Sequence, residues 1–222
     1  MKLRTLTALI ALPATVAMSA PAVEGVESTL PTPVALESVS AGVDTASEPG
    51  LVTYVIDPVH SELSFRVRHL IGRVAGTFND WGGTLVFDPT DLSGGRVEVT
   101  VQTASINTLN ADRDAHLRTP DFFAAEEFPT MTFRSDRVEV IGTQIKVHGD
   151  LTLRGVTRPV VLEGIYLGRL EQDPWGAERV AFLASTTIDR QEFGVSFNQA
   201  LETMTMIGDE VEIEIAIEAV RQ

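Results

Sequence analysis

From Gln144 to Arg154 the chain alternates with a period of two: Ile145, Val147, Gly149, Leu151 and Leu153 interleave with Gln144, Lys146, His148, Asp150, Thr152 and Arg154. Successive side chains of a strand point to opposite faces, whereas a helix needs apolar residues every three to four positions. This stretch is therefore a strand with one greasy and one wet face, about 35 Å long at ~3.3 Å per residue. Gly155 ends it.

The same pattern recurs along the chain. Leu63, Phe65, Val67 and His69 alternate with Glu62, Ser64, Arg66 and Arg68, and Val97, Val99 and Val101 with Arg96, Glu98, Thr100 and Gln102. A run after Gly72 reaches Phe78, Met131 and Phe133 alternate over 130–135, and Val180, Phe182, Ala184 and Ile188 share a face. The last run, Val211 to Ala219, sets apolar positions including Ile213 and Ile215 against Glu212, Glu214 and Glu218. Turns are expected at 79–83, at 88–95, at Gly142-Thr143 and at Pro174-Trp175-Gly176. The segment 158–170 is apolar on both faces, so its register is open.

Roughly eight long antiparallel strands and little helix permit a sandwich or a closed barrel. Runs of about ten residues exceed the usual five or six, which favours an extended barrel roughly 25 Å tall. An eight-stranded barrel has an interior just wide enough for side chains or one slender ligand, and pattern alone does not separate a filled lumen from an occupied one. The inward positions Leu63, Phe65, Val67, His69, Phe78, Val99, Phe133, Val147, Leu151, Phe182, Ile213 and Ile215 are the expected lining.

The ends of the chain read differently. Residues 1–22 carry Lys2 and Arg4, an uncharged run from Thr5 to Met18 and a closing Ala20-Pro21-Ala22, the layout of a cleaved signal peptide. With the leader gone, no stable membrane insertion is expected. Residues 23–50 hold five acidic residues, no Lys or Arg, and much Pro, Ser and Thr, as an acidic disordered linker does. That leaves 51–222 as one domain.

The absence of cysteine excludes disulfides and thiolate metal sites. A net charge of -14 repels phosphate backbones, so nucleic acid is not an expected partner.

One irregular stretch, 112–135, interrupts the strands. Helix formers over 111–118, stopped before Pro120, predict one short helix. Its Arg113-Asp114-x-His116-Leu117, with Asp121-Phe122-Phe123 and Phe128-Pro129-x-Met131-x-Phe133-x-Ser135, resembles the signature of the YceI-like family of lipid- and polyisoprenoid-binding proteins. The likeness extends through Asp57-Pro58-x-His60-Ser61-x-Leu63-x-Phe65-x-Val67-x-His69, then Gly76-x-Phe78 with Gly83. It continues through 149–157, Asp189-Arg190-x-x-Phe193-Gly194 and Gly208-Asp209-Glu210-Val211, in order and at compatible spacing. The resemblance implies a lipocalin-like extended antiparallel barrel, periplasmic in many members. It also implies that the lumen holds a polyprenyl phosphate, an isoprenoid quinone or a related lipid, and that the protein is not an enzyme. A homodimer is compatible with it, though the exposed faces offer no obvious patch.

Residue types suggest few rival chemistries. Asp57, His60 and Ser61 suit a nucleophilic triad, but they share one turn and no G-x-S-x-G elbow exists, so no catalytic residue is assigned. The four histidines stand far apart without metal-ligand spacing, so no metal site is assigned. His69 falls on the apolar face, either as a hydrogen-bonded core residue or as a polar anchor. Arg113, His116 and Arg118 are head-group candidates at the barrel mouth. Alternatively, Arg113 and Asp114 form an ion-pair and capping cluster that holds the helix.

Overall fold

The computed structural model describes residues 50–200 and 205–222. The expected leader and all of the expected linker except Gly50 lie outside the described residues. Among the described residues the elements run β1 (Val52–Ile56), β2 (Glu62–His69), β3 (Gly72–Phe78), β4 (Trp81–Asp88), β5 (Asp91–Gln102), β6 (Ile106–Asn107) and α1 (Ala111–Leu117). They continue as β7 (Thr130–Ile141), β8 (Gln144–Leu153), β9 (Val156–Leu170), β10 (Arg179–Asp189) and β11 (Ile207–Arg221).

Every ladder is antiparallel. Pairing runs β1-β4-β5-β7-β8-β9-β10-β11, and β11 returns to β1 through Tyr54↔Arg221, Val55↔Val220 and Ile56↔Ala219. That closure makes an eight-stranded barrel and removes the open edges a sandwich would leave. The turn after Asp57-Pro58 breaks the first strand in two. Its second half, β2, stays on β11 through Glu62↔Ala216 to Val67↔Val211 and carries β3 and β6 beside it. The barrel is thereby prolonged at one end.

Inward and outward faces follow the alternation. Along β8, Ile145, Val147, Leu151 and Leu153 are buried while Gln144 and Asp150 are exposed. The Arg154-Gly155 turn has positive φ at both central residues, 51° and 72°, the conformation that matches strand twist in a two-residue hairpin. On β9 the ambiguity resolves: Val160, Leu162 and Tyr166 pack inward, and Val161, Ile165 and Leu167 are exposed. Ile165 stands opposite Leu183 of β10, which is also exposed, so the outer wall carries an apolar pair.

Two expected turns are shorter than the glycines suggested. β4 begins at Trp81, which is buried, so only Asn79-Asp80 turns there, and β5 begins at Asp91, so only Pro89-Thr90 turns there. Gly83 lies within a strand because the neighbouring chain comes close: a Cβ there would sit 2.1 Å from the Glu98 carbonyl oxygen.

The ladder between β9 and β10 stops at Glu163↔Ser185. Above it lies Pro159, which has no N–H to offer a ladder. A 3-10 turn, Arg190–Phe193, folds against this part of β9, and its Phe193 is buried in the core. Asn110 caps α1, its side chain accepting from Arg113 N at 2.9 Å.

Candidate functional site: a two-chambered lumen

The inner faces of the strands enclose two connected apolar chambers. The lower, about 120 Å³, is walled by Leu85, Phe87, Val97, Val99, Phe133, Val147, Leu151, Phe182 and Ile215. The upper, about 380 Å³, is walled by Phe65, Val67, Val74, Phe78, Phe122, Phe123, Ile188 and Val211. Leu63, Met131 and Ile213 line both and form the neck between them. For scale, a dry engineered cavity of roughly 150 Å³ takes up benzene, so the lower chamber has room for a little less than one such ring and the upper for more than two.

Below the lower chamber the lumen is plugged. Tyr54 stacks on Phe87 with centroids 4.9 Å apart, Phe87 meets Phe182 edge-on at 5.8 Å, and Phe182 lies 4.9 Å from Tyr166. Tyr54 is fully buried and donates its hydroxyl proton to the Glu178 carboxylate. Glu178 also accepts from Arg169 at 2.9 Å and Arg221 at 3.0 Å. Burial pushes the Glu178 carboxyl up, but the hydrogen bonds from Tyr54, Arg221 and Arg169 outweigh it and hold the group below its ordinary range. Burial and the same carboxylate push the Tyr54 hydroxyl well up, so it stays protonated.

A second ionic cluster lies at this end. Arg179 donates to Asp173 at 2.6 Å, Asp57 at 2.8 Å and Glu218 at 2.6 Å. The Arg179 bond, followed by that of His60, holds the Asp57 carboxyl far below its usual range.

The upper chamber is roofed by α1, the segment after it, and the chain after β10. Its polar lining includes His69, Thr108, Arg113, His116, Arg190 and Gln199. Arg190 is buried and donates to the carbonyls of Gly208, Val195 and Phe197 and to Asp209. Burial lowers its pKa, with Asp209 opposing; those bonds mark a structural clamp on the irregular connection.

Over residues 54–219 the sequence matches the YceI-like domain. The chain belongs to the YceI-like family. Protein YceI of Escherichia coli O157:H7 is 37% identical over 164 residues, covering 73% of this chain and 83% of that one. The crystal structure of the Campylobacter jejuni YCEI protein superposes with a TM-score of 0.61 at 33% identity, covering 70% of this chain and 90% of that one. A polyisoprenoid-binding domain from Saccharophagus degradans, implicated in plant cell wall breakdown, shares the fold with a TM-score of 0.58 at 15% identity, covering 77% and 99%.

In this YceI-like barrel all twelve residues expected on the inner face line one chamber or both: Leu63, Phe65, Val67, His69, Phe78, Val99, Phe133, Val147, Leu151, Phe182, Ile213 and Ile215. His69 is half-buried and faces the upper chamber, and its imidazole makes no hydrogen bond to another described residue. The head-group candidates separate. Arg113 and His116 line the upper chamber; Arg118 instead donates to the carbonyls of Ala104 at 2.7 Å and Ile106 at 3.0 Å.

Arg113 and Asp114 both engage Thr108, Arg113 through Nε at 2.7 Å and Nη2 at 2.8 Å, and Asp114 by accepting from Thr108 N at 2.8 Å. The pair therefore ties α1 to the end of β6 through a shared neighbour. His116 sits 2.8 Å from Asp121, and its ring meets Phe122 and Phe197 at centroid distances of 5.1 and 5.2 Å, which joins α1 to the chain after β10. Phe197 and the Tyr54–Glu178 plug were not foreseen. Phe197 lies outside any alternating run, and the plug joins Tyr54 of β1 to a residue 124 positions away.

Asp57, His60 and Ser61 share one turn but bond to different partners. His60 pairs with Asp57 at 2.9 Å, while Ser61 Oγ donates to Glu218 O and accepts from Glu218 N. Asp57, His60 and Glu218 bring donor atoms within 4.8 Å of one another. The Arg179 guanidinium donates to both of these carboxylates.

Proposed function

We propose that this protein binds a polyisoprenoid or similar long-chain lipid in its lumen, for carriage, storage or stress protection after export to the periplasm. The observation that carries the reading is the division of one apolar lumen into a plugged lower end and a roomier upper chamber, with His69, Arg113 and His116 gathered at the upper end only. A single slender chain fits that shape: its tail points toward the neck and its polar head meets those side chains. Burial of apolar ligand surface, at about 25 cal/mol per Å², drives binding. A polyprenyl phosphate or an isoprenoid quinone meets both requirements. The polyisoprenoid-binding domain of Saccharophagus degradans supports the choice by shared fold.

No chemical step is assigned, because the hydroxyl and imidazole of the Ser61–His60 turn are already engaged. Solvent extraction and mass spectrometry of natively purified protein should recover a prenyl lipid at near-stoichiometric yield. A protein that retains no apolar molecule and takes up neither a polyprenyl phosphate nor a quinone would overturn the reading. Incubation with a labelled prenyl phosphate should leave the lipid chemically unchanged.

A further inference from the structure

Two turns on the rim of the upper chamber hold large apolar side chains out in water. Ile71 is 97% exposed and Leu109 94% exposed, and Leu70 is partly exposed beside Ile71. Each turn directly follows a residue that lines the chamber: His69 precedes Leu70, and Thr108 precedes Leu109. The two turns lie at the same end of the barrel. Thr77 pairs with Asn107, and Thr108 packs beside Gly76, so the chain through Leu109 advances along β3 toward the Leu70-Ile71 hairpin.

Leu70 and Leu109 also have φ of 53° and 61°. These are left-handed conformations that glycine or asparagine adopts with less strain. Single exposed leucines need no explanation; two strained ones flanking the mouth of an apolar chamber do. The sealed end also exposes apolar side chains, Val59, Ile141, Leu170 and Trp175 among them, but the lumen there is filled by Tyr54 and Phe87, and the Trp175 ring lies 6.0 Å from the Arg179 guanidinium. Rim charge is largely neutralised locally: Arg73 pairs with Glu212 at 2.6 Å, and Arg68 donates to the carbonyls of Leu70 and Thr205. Among the described residues no free basic patch is left there to draw the acidic chain to an anionic surface.

We propose that Leu70, Ile71 and Leu109 form a docking rim that seats the mouth of the barrel on an uncharged or zwitterionic lipid bilayer, so that a lipid passes between bilayer and upper chamber without crossing water. The inference rests on the lipid-binding reading above and adds the surface through which the lipid arrives. Shallow immersion of these side chains supplies the attraction, as it does for interfacial segments.

Because the chain has no cysteine, single labels report cleanly. An environment-sensitive fluorophore on L109C or I71C should shift to the blue when phosphatidylcholine vesicles are added to the full chain, and the same label on V59C at the sealed end should not. No shift at the rim, an equal shift at Val59, or a rim shift produced by self-association before vesicles are added would overturn the proposal. In the I71N/L109N double variant the thermal midpoint should hold or rise, and uptake of a fluorescent prenyl lipid from vesicles should slow about tenfold. The amount retained when the same lipid is offered from ethanol should be unchanged. Equal uptake rates from vesicles would refute the rim. Failure of the unaltered protein to retain lipid by either route would instead refute lipid binding, leaving the label shifts to judge docking alone.

Discussion

The two ends of the barrel solve opposite problems with the same β-strands. At the lower end, four aromatic rings fill the lumen, and the charges behind them are matched: Glu178 with Tyr54, Arg169 and Arg221, and Arg179 with Asp57, Asp173 and Glu218. At the upper end, β2, β3, α1 and the chain after β10 surround a chamber about three times larger, and His69 is left there without a partner among the described residues. The closed tube thus has a direction: filled below, roomier above.

The contrast breaks hardest at Arg179. Arg179→Leu removes the shared cation from three carboxylates, one of them on the buried Asp173, and should lower the thermal midpoint by roughly 10 °C with lipid retention at low temperature little changed. The effect has a defined pH dependence. Asp57 is held below its usual range when folded, so its contribution is fully present above the unfolded carboxyl value near 4 and is lost as pH falls through the folded value. The gap between the two proteins in urea titrations should therefore be widest at neutral pH, begin to narrow near pH 4 and be lost only well below it.

Filling the upper chamber tests the other end. Val67→Phe combined with Val211→Phe should cut prenyl-lipid retention about tenfold while the midpoint moves by only a few degrees, because the added rings enter existing space. Smaller in effect, Tyr54→Phe should cost about 1 kcal/mol in denaturant unfolding through the lost bond to Glu178, with lipid retention intact. Smallest of all, His69→Leu should leave unfolding unchanged and weaken only the preference between lipids with different heads, by a few-fold in competition binding. Unfolding of the His69 variant would return that residue to the core.

Much of this was legible in the period-two alternation, because burial on one face of a strand leaves a signature in every second residue. That is why the twelve inward positions, from Leu63 to Ile215, were readable in advance. Glycine misled the turn assignment: Gly82-Gly83 and Gly94-Gly95 look like loop residues, yet they lie in β4 and β5, and at Gly83 the neighbouring strand leaves no room for a Cβ. The plug escaped notice because Tyr54 and Glu178 are 124 positions apart and join only when the barrel closes. Arg118 escaped for a related reason. Residue type identifies a strong donor, but only the fold determines whether it faces a ligand or, as here, two backbone carbonyls.

The neck has its own consequence. Leu63, Met131 and Ile213 stand between the wider space and the narrower one, and methionine is the most pliable of apolar side chains. On the proposed lipid-binding reading, a prenyl tail that ended above them would displace nothing, whereas a longer one would have to part them before gaining further contact. The barrel would then act as a ruler with one graduation: affinity climbs with each added isoprene unit, pauses at the length that touches Met131, and resumes only for chains long enough to hold the bore apart.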